Sequence, residues 1–449
     1  MSFTPLDSGL YGPLFTSPAM QRLFSDEEHV RRLVEVETAL ARAEARVGVI
    51  SAEAARGIAE AAGHFQPDLP KLREGIAHDG FPVIALLAQL RQEMPEDAAA
   101  ALHWGATTQD VLDTALVLQL RDALELLAAA LDRLVQHLAR LADAHRQTLM
   151  AGRTHSQQAL PVTFGLKVAG WLAPLLRHRD RLRELRPRLL VVQFGGAAGT
   201  LAALKGDGLA VSAALAHDLG LGEAPTPWHT QRDTLAELGG WLSLVTGSLG
   251  KMAQDLILLA QSEVAEVRES ADASRGGSST MPQKSNPIGS ELIVAVARAN
   301  AALLSGLHQA LIQEHERGTH GWQLEWLTLP QMLGLTAGAL DRAATLAQEL
   351  DVDAARMRDN VAASGGLMLA EAYTFALAPL IGRQRAKQVV RQAVEVALQG
   401  GLPLAEAVQS CTDAPLDWEA VRETDYLGAS DALIDRVLQQ TADPDRSSK

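Results

Sequence analysis

The chain has 449 residues, 47% hydrophobic and 21% charged, the balance of a globular protein with room for two or three domains. Its formal net charge of −14 excludes the broad basic face that a non-specific nucleic-acid or acidic-membrane binder needs. The single cysteine, Cys411, excludes an intrachain disulfide and a cysteine-based zinc cluster, and reads as a small apolar filler.

Residues 1–7 lack the basic start and apolar run of a signal peptide, and no uncharged apolar stretch reaches the ~20 residues of a membrane span, so a cytoplasmic chain is expected. The first 100 residues read as short helices broken by signals such as Asp79-Gly80-Phe81-Pro82. From Val111 to Met150 there is no Gly or Pro. Leu116, Leu120, Leu124, Leu127, Leu131, Leu134, Leu138 and Leu141 recur in steps of four and three, the seam of a helix roughly 50–60 Å long. Ala/Leu-rich segments at 161–185, 233–270, 288–316 and 327–350 extend this into an elongated bundle. The apolar run at 189–196 predicts a short hairpin or extended excursion. Without βα alternation, the chain reads as all-α. Shorter helices follow, punctuated by Gly365-Gly366, Gly400-Gly401 and Asp413-Ala414-Pro415.

Chemistry concentrates between two predicted helices, at Arg275-Gly276-Gly277-Ser278-Ser279-Thr280-Met281-Pro282-Gln283-Lys284-Ser285-Asn286-Pro287. Gly277 allows close backbone approach to a ligand, Lys284 and Asn286 can hold a carboxylate, and Ser278 can move a proton if its surroundings lower its pKa. Pro287 suits the first turn of the next helix. Thr107, Thr108 and Asp110, after His103, open the long helix, where they serve equally as caps or as part of a carboxylate site. His155, in Gly152-Arg153-Thr154-His155, reads by itself as a solvated or capping histidine. Arg232 and Arg317 read equally as substrate ligands and as ion-pair or surface arginines. The glycine run 195–199 does not fit Gly-x-Gly-x-x-Gly, and His-Glu-x-x-His is absent, so neither a cofactor nor a metal is implied.

The 277–287 stretch meets every fixed position of Gly-Ser-Ser-x-Met-Pro-x-Lys-x-Asn-Pro, and on it the chain resembles the fumarase/aspartase superfamily. Gly152–Pro161 is similar to that family's second motif. His103–Asp110 is similar to a third, with Thr108 in place of a serine, a change that keeps the hydroxyl. The resemblance implies three helical domains, 1–100, 101–355 and 356–449. The central long-helix bundle would assemble into a tetrameric helical core, with sites shared between the subunits of a homotetramer. It implies Ser278 as acid/base, His155 paired with Glu291 in support, and Lys284 and Asn286 on a substrate carboxylate. His103, Thr107, Thr108, Gln231, Arg232 and Arg317 would complete the binding of a small polycarboxylate, with no cofactor and with neither nucleic acid nor membrane as partner.

Residues 185–190, 193–200, 313–317 and 322–326 look like the cycloisomerase branch. Its members close 3-carboxy-cis,cis-muconate to 4-carboxymuconolactone through an aci-carboxylate, in protocatechuate breakdown. An adenylosuccinate-type lyase, a sulfomuconate cycloisomerase and a non-catalytic, crystallin-like structural protein are the competing readings.

Overall fold

The leucine seam forms a single helix, Thr108–Ala144, whose 37 residues span about 55 Å. Leu120, Leu124, Leu127, Leu131, Leu134 and Leu138 are all buried along it. A computed structural model describes residues 3–270, 281 and 284–441, and the architecture is helical throughout, apart from two small two-stranded sheets among those residues.

The other long helices are Phe164–Leu189, Asp233–Leu259, Ile288–Ala310 and Gly321–Glu349. Asp233 and Ile288 start where the sequence places them. The far ends differ from expectation. The third helix stops at Leu259, because Val267–Arg268 leaves it to pair antiparallel with Asp351–Val352. The last begins at Gly321, ahead of the expected residue 327.

Of the short hairpin or extended excursion expected at 189–196, residues 191–196 take the extended form. That stretch makes one parallel bridge, Val191 to Gly222, and its backbone is held both by backbone bonds, such as Leu201 N to Gly195 O at 3.0 Å, and by side chains such as Thr114. The hairpin lies instead at the Thr-His motif, where Leu149–Thr154 pairs antiparallel with Gln157–Thr163. Residues 161–163, expected to be helical, belong to its second strand. Gly152 is required there, since a Cβ would lie 2.9 Å from the Leu160 carbonyl oxygen.

The contacts divide the chain into two interleaved units. The first gathers Met1–Ala130, His178–Gly247 and Val296–Leu340. Its core includes Leu33, Leu40, Ile58, Leu86, Leu118, Phe194 and Leu215. Buried Asn300 donates to Thr336 Oγ1 at 2.9 Å, tying two helices by a polar contact. The second unit gathers Leu131–Arg177, Ser248–Ala295 and Asp341–Lys449. Its C-terminal core packs Leu369, Tyr373, Leu377, Val389, Leu404 and Val408, with Cys411 against it as an apolar neighbour. The division into domains 1–100, 101–355 and 356–449 follows chain order and remains a proposal, which these units cut across.

Ile288–Ala310 stands apart. By length and composition it is apolar enough to cross a membrane, yet only 28% of its apolar window is buried.

Candidate active site

In the first unit, the start of the Thr108–Ala144 helix is organised by Asp110. Its buried carboxylate accepts from Thr107 N at 3.0 Å, Gly195 N and Gly196 N at 2.9 Å, and His229 Nε2 at 2.7 Å. One residue therefore caps the helix and clamps a glycine turn onto it. No side-chain bond occupies the Thr107 or Thr108 hydroxyl among the described residues, and Asp110 N donates back to Thr107 O at 3.0 Å.

Arg317 is aimed at the same turn. Its guanidinium donates to Gln109 Oε1 at 3.0 Å, Gly196 O at 3.2 Å and Ala197 O at 2.9 Å. All three acceptors are neutral, so the position is fixed while the charge is left uncompensated among the described residues. A half-buried cation of this kind is a ready anion site.

Arg232 has the opposite fate. It is buried, with Nε and Nη2 donating to Glu325 at 2.8 and 2.6 Å and Nη1 and Nη2 donating to Asp113 at 2.7 and 3.0 Å. Its guanidinium also lies 4.8 Å from the centre of the Trp228 ring. With four hydrogen bonds to two carboxylates, Arg232 follows the ion-pair reading rather than the substrate-binding one. The paired charges pull its pKa up even though burial opposes them. Neighbouring Gln231 is exposed and folds back onto Thr226 Oγ1 at 3.1 Å.

His103 holds a left-handed backbone, φ +66°, and its Nδ1–H donates to buried Glu37 Oε1 at 2.7 Å. Burial lowers its pKa, but the charge and hydrogen bond of Glu37 outweigh burial and hold it above the ordinary value. Nearby in sequence, the oxygens of Glu44 are buried without a hydrogen-bond partner among the described residues. Burial, then the charge of Glu37, pushes its pKa to about 8.

In the second unit, His155 and Ser156 form the two-residue hairpin tip, with φ +49° and +63°. Both are non-glycine residues in the left-handed region, a strained choice that presents an exposed imidazole. Glu291 is also exposed, in the first turn of Ile288–Ala310, and no hydrogen bond joins it to His155 within the chain. Glu269 occupies the amides of that turn, accepting from Gly289 N at 2.9 Å and Ser290 N at 2.6 Å. Those two amides are therefore taken, while Lys284 is exposed and Asn286 half-buried beside them in sequence. Ser278 lies outside the described residues.

The motif reading overlooked Asp113, His229, Glu325 and Glu37. Asp110 and Glu325 stood in stretches the motifs cover, but only their contacts with His229 and Arg232 reveal their use. No group of three or more His, Cys, Asp or Glu among the described residues is arranged to hold a metal ion.

A family model described as Lyase matches residues 14–299, and the chain belongs to that family, within the fumarase/aspartase superfamily. It is 47% identical over 450 residues to the 3-carboxy-cis,cis-muconate cycloisomerase of Pseudomonas aeruginosa, covering 98% of each chain. It is also similar to a nitrosuccinate lyase of Streptomyces davaonensis, at 39% over 98% of this chain and 96% of the relative. Among solved structures, the 3-carboxy-cis,cis-muconate lactonizing enzyme of Pseudomonas putida superposes with a TM-score of 0.91 at 41% identity, covering 98% of this chain and 100% of that one.

Proposed function

We propose that the chain is a 3-carboxy-cis,cis-muconate cycloisomerase of protocatechuate breakdown, working without a cofactor. The observation that carries this reading is the 47% identity to such an enzyme across 98% of both chains. The site geometry agrees with an anionic substrate, because Arg317 and the Thr108 helix terminus offer a fixed cation and free amides together.

In the reaction, one carboxylate oxygen of the substrate bonds to a conjugated carbon, and the electron pair displaced moves into a neighbouring carboxylate as an aci-carboxylate. A proton delivered to the adjacent carbon completes the lactone, so no atom is lost. Ser278 delivers that proton, supported by His155 and Glu291. Lys284, Asn286 and Arg317 stabilise the added negative charge, and His103, Thr107 and Thr108 hold the remaining carboxylates.

The active form is a cytoplasmic homotetramer with shared sites. The exposed apolar face of Ile288–Ala310 supports helical partners, and Glu291 and Arg298 within it count against lipid.

The test offers purified protein 3-carboxymuconate, its sulfonated analogue and adenylosuccinate in separate assays. Loss of 3-carboxymuconate absorbance without metal or nucleotide is expected. Preference for the sulfonated compound, fumarate release from adenylosuccinate at a comparable rate, or no turnover of any of the three would each overturn the assignment.

A further inference from the structure

The first unit holds a cavity of about 520 Å³ that none of the candidate site residues lines. Its walls include Phe24, Leu72, Leu112, Trp322 and Trp326. The two tryptophans meet edge-on, with ring centres 5.0 Å apart, and Phe81 stacks behind Trp322 at 5.4 Å. Trp326, which also meets Phe81 edge-on at 6.1 Å, remains 40% exposed, so part of its aromatic face is uncovered among the described residues.

One polar atom in this apolar setting has a defined role. Gln119 Nε2 donates to Leu23 O at 2.6 Å, which turns its Oε1 towards His29 Nδ1, 3.1 Å away. An amide oxygen only accepts, so Nδ1 carries the ring proton. Burial lowers the pKa of His29 and keeps the ring neutral, leaving Nε2 as a bare acceptor. No described residue donates to it, and His29 lines the cavity. Asp26 and Arg73, opposite in charge, also line it, and Asp113 shares the one Arg232 cation with Glu325. The cavity therefore lacks the cationic excess that a polycarboxylate needs.

The geometry points to a second small-molecule site, one that takes a single benzene ring bearing a hydroxyl. The ring packs against Trp322 and Trp326, and the hydroxyl donates to His29 Nε2. The site is wired to the anion-binding arginine. Trp322 Nε1 donates to Asp113 Oδ1 at 3.1 Å, Gln109 Nε2 donates to Asp113 Oδ2 at 3.2 Å, and Arg317 donates to Gln109 Oε1 at 3.0 Å. A ligand that shifts Trp322 therefore shifts Arg317, and occupancy changes the affinity for substrate.

Calorimetry on the full chain tests this with phenol, 4-hydroxybenzoate, toluene and benzoate. Phenol and 4-hydroxybenzoate should bind with Kd on the order of 0.1–1 mM, well within what so small a ligand can reach. Toluene and benzoate should bind about five- to tenfold more weakly for want of the hydrogen bond. His29→Phe should bring phenol down to the level of toluene, and Trp326→Ala, at a partly exposed position, should weaken both rings. In turnover assays, phenol should shift KM to a plateau. Equal binding of phenol and toluene, phenol affinity unchanged in His29→Phe, or a KM that climbs without limit as phenol displaces substrate from its own site would overturn the proposal. The binding measurements stand whichever substrate the enzyme turns over.

Discussion

Glu37, fully buried, accepts the Nδ1–H of His103 at 2.7 Å across 66 positions of sequence. The bond leaves Nε2 as the outward nitrogen and favours the charged ring. Glu37→Gln should remove the charge, bring the His103 pKa down from above 6.5, and raise KM about tenfold through a weakened contact to a substrate carboxylate. NMR titration of the imidazole alongside kinetics checks both halves. An unchanged His103 titration in the variant would rule out this role for Glu37.

Glu44 makes stability fall as pH rises. In the unfolded chain it ionises near 4.5, whereas in the folded chain it stays protonated up to about 8. Folding therefore takes up a proton across that window, costing about 1.4 kcal/mol for each pH unit. His103 acts in the same direction, since its raised pKa gives stability that is complete below about 6.5 and is lost as pH passes its folded value. Urea unfolding at pH 5.5, 6.5 and 7.5 should show a shallower slope in Glu44→Gln than in the wild-type chain. Parallel slopes would mean Glu44 is ionised in the fold.

Two arginines should separate function from stability. Arg317→Gln breaks only bonds to neutral oxygens, so the fold should hold while kcat/KM drops roughly 30- to 100-fold with the loss of a charged contact. Arg232→Met leaves Asp113 and Glu325 buried without their cation and should cost about 3–5 kcal/mol of stability. Normal stability in Arg232→Met, paired with collapse in Arg317→Gln, would reverse these roles.

At the hairpin tip, Ser156→Gly relieves a left-handed φ of +63° and should stabilise by up to about 1 kcal/mol with activity retained. His155→Gly should gain similarly and lose turnover, while His155→Asn, which tolerates this backbone, should lose turnover without the gain. Thermal midpoints and rates measured together decide it. A destabilised Ser156→Gly would show that the tip is not strained.

Shared sites predict complementation. Inactive His155→Asn and Ser278→Ala chains, unfolded and refolded together in equal amounts, should regain on the order of a quarter of wild-type activity if the two residues come from different subunits. Sizing must show mixed tetramers. Tetramers without recovered activity would place both residues in one chain.

Much of the fold could be read because the long helices leave a physical trace, a 3.6-residue period, which between Val111 and Ala144 is also uninterrupted by Gly or Pro. The hairpin left none. Leu149–Thr154 carries Gly152 and Arg153 and has no alternation, and its turn uses His155-Ser156 where a glycine or asparagine would have signalled it. The signature residues could be read because they are contiguous. The Arg232 ion pairs could not, because Asp113 and Glu325 lie 119 and 93 positions away and only folding brings them together. The anion-ready state of Arg317 depends on what its neighbours lack, and sequence does not record that.

The interleaving of the two units sets terms for synthesis. One core joins Val30, Leu118, Phe194 and Trp322, so it cannot close until residue 322 has left the ribosome. Until then, the amino-terminal helices have one another but lack Phe194 and Trp322 as partners, and the second unit is completed only by residues from 341 onward. Such distant pairings slow folding and leave sticky intermediates. Translation speed and chaperone supply should therefore govern the yield of active protein more than the stability of the finished fold does.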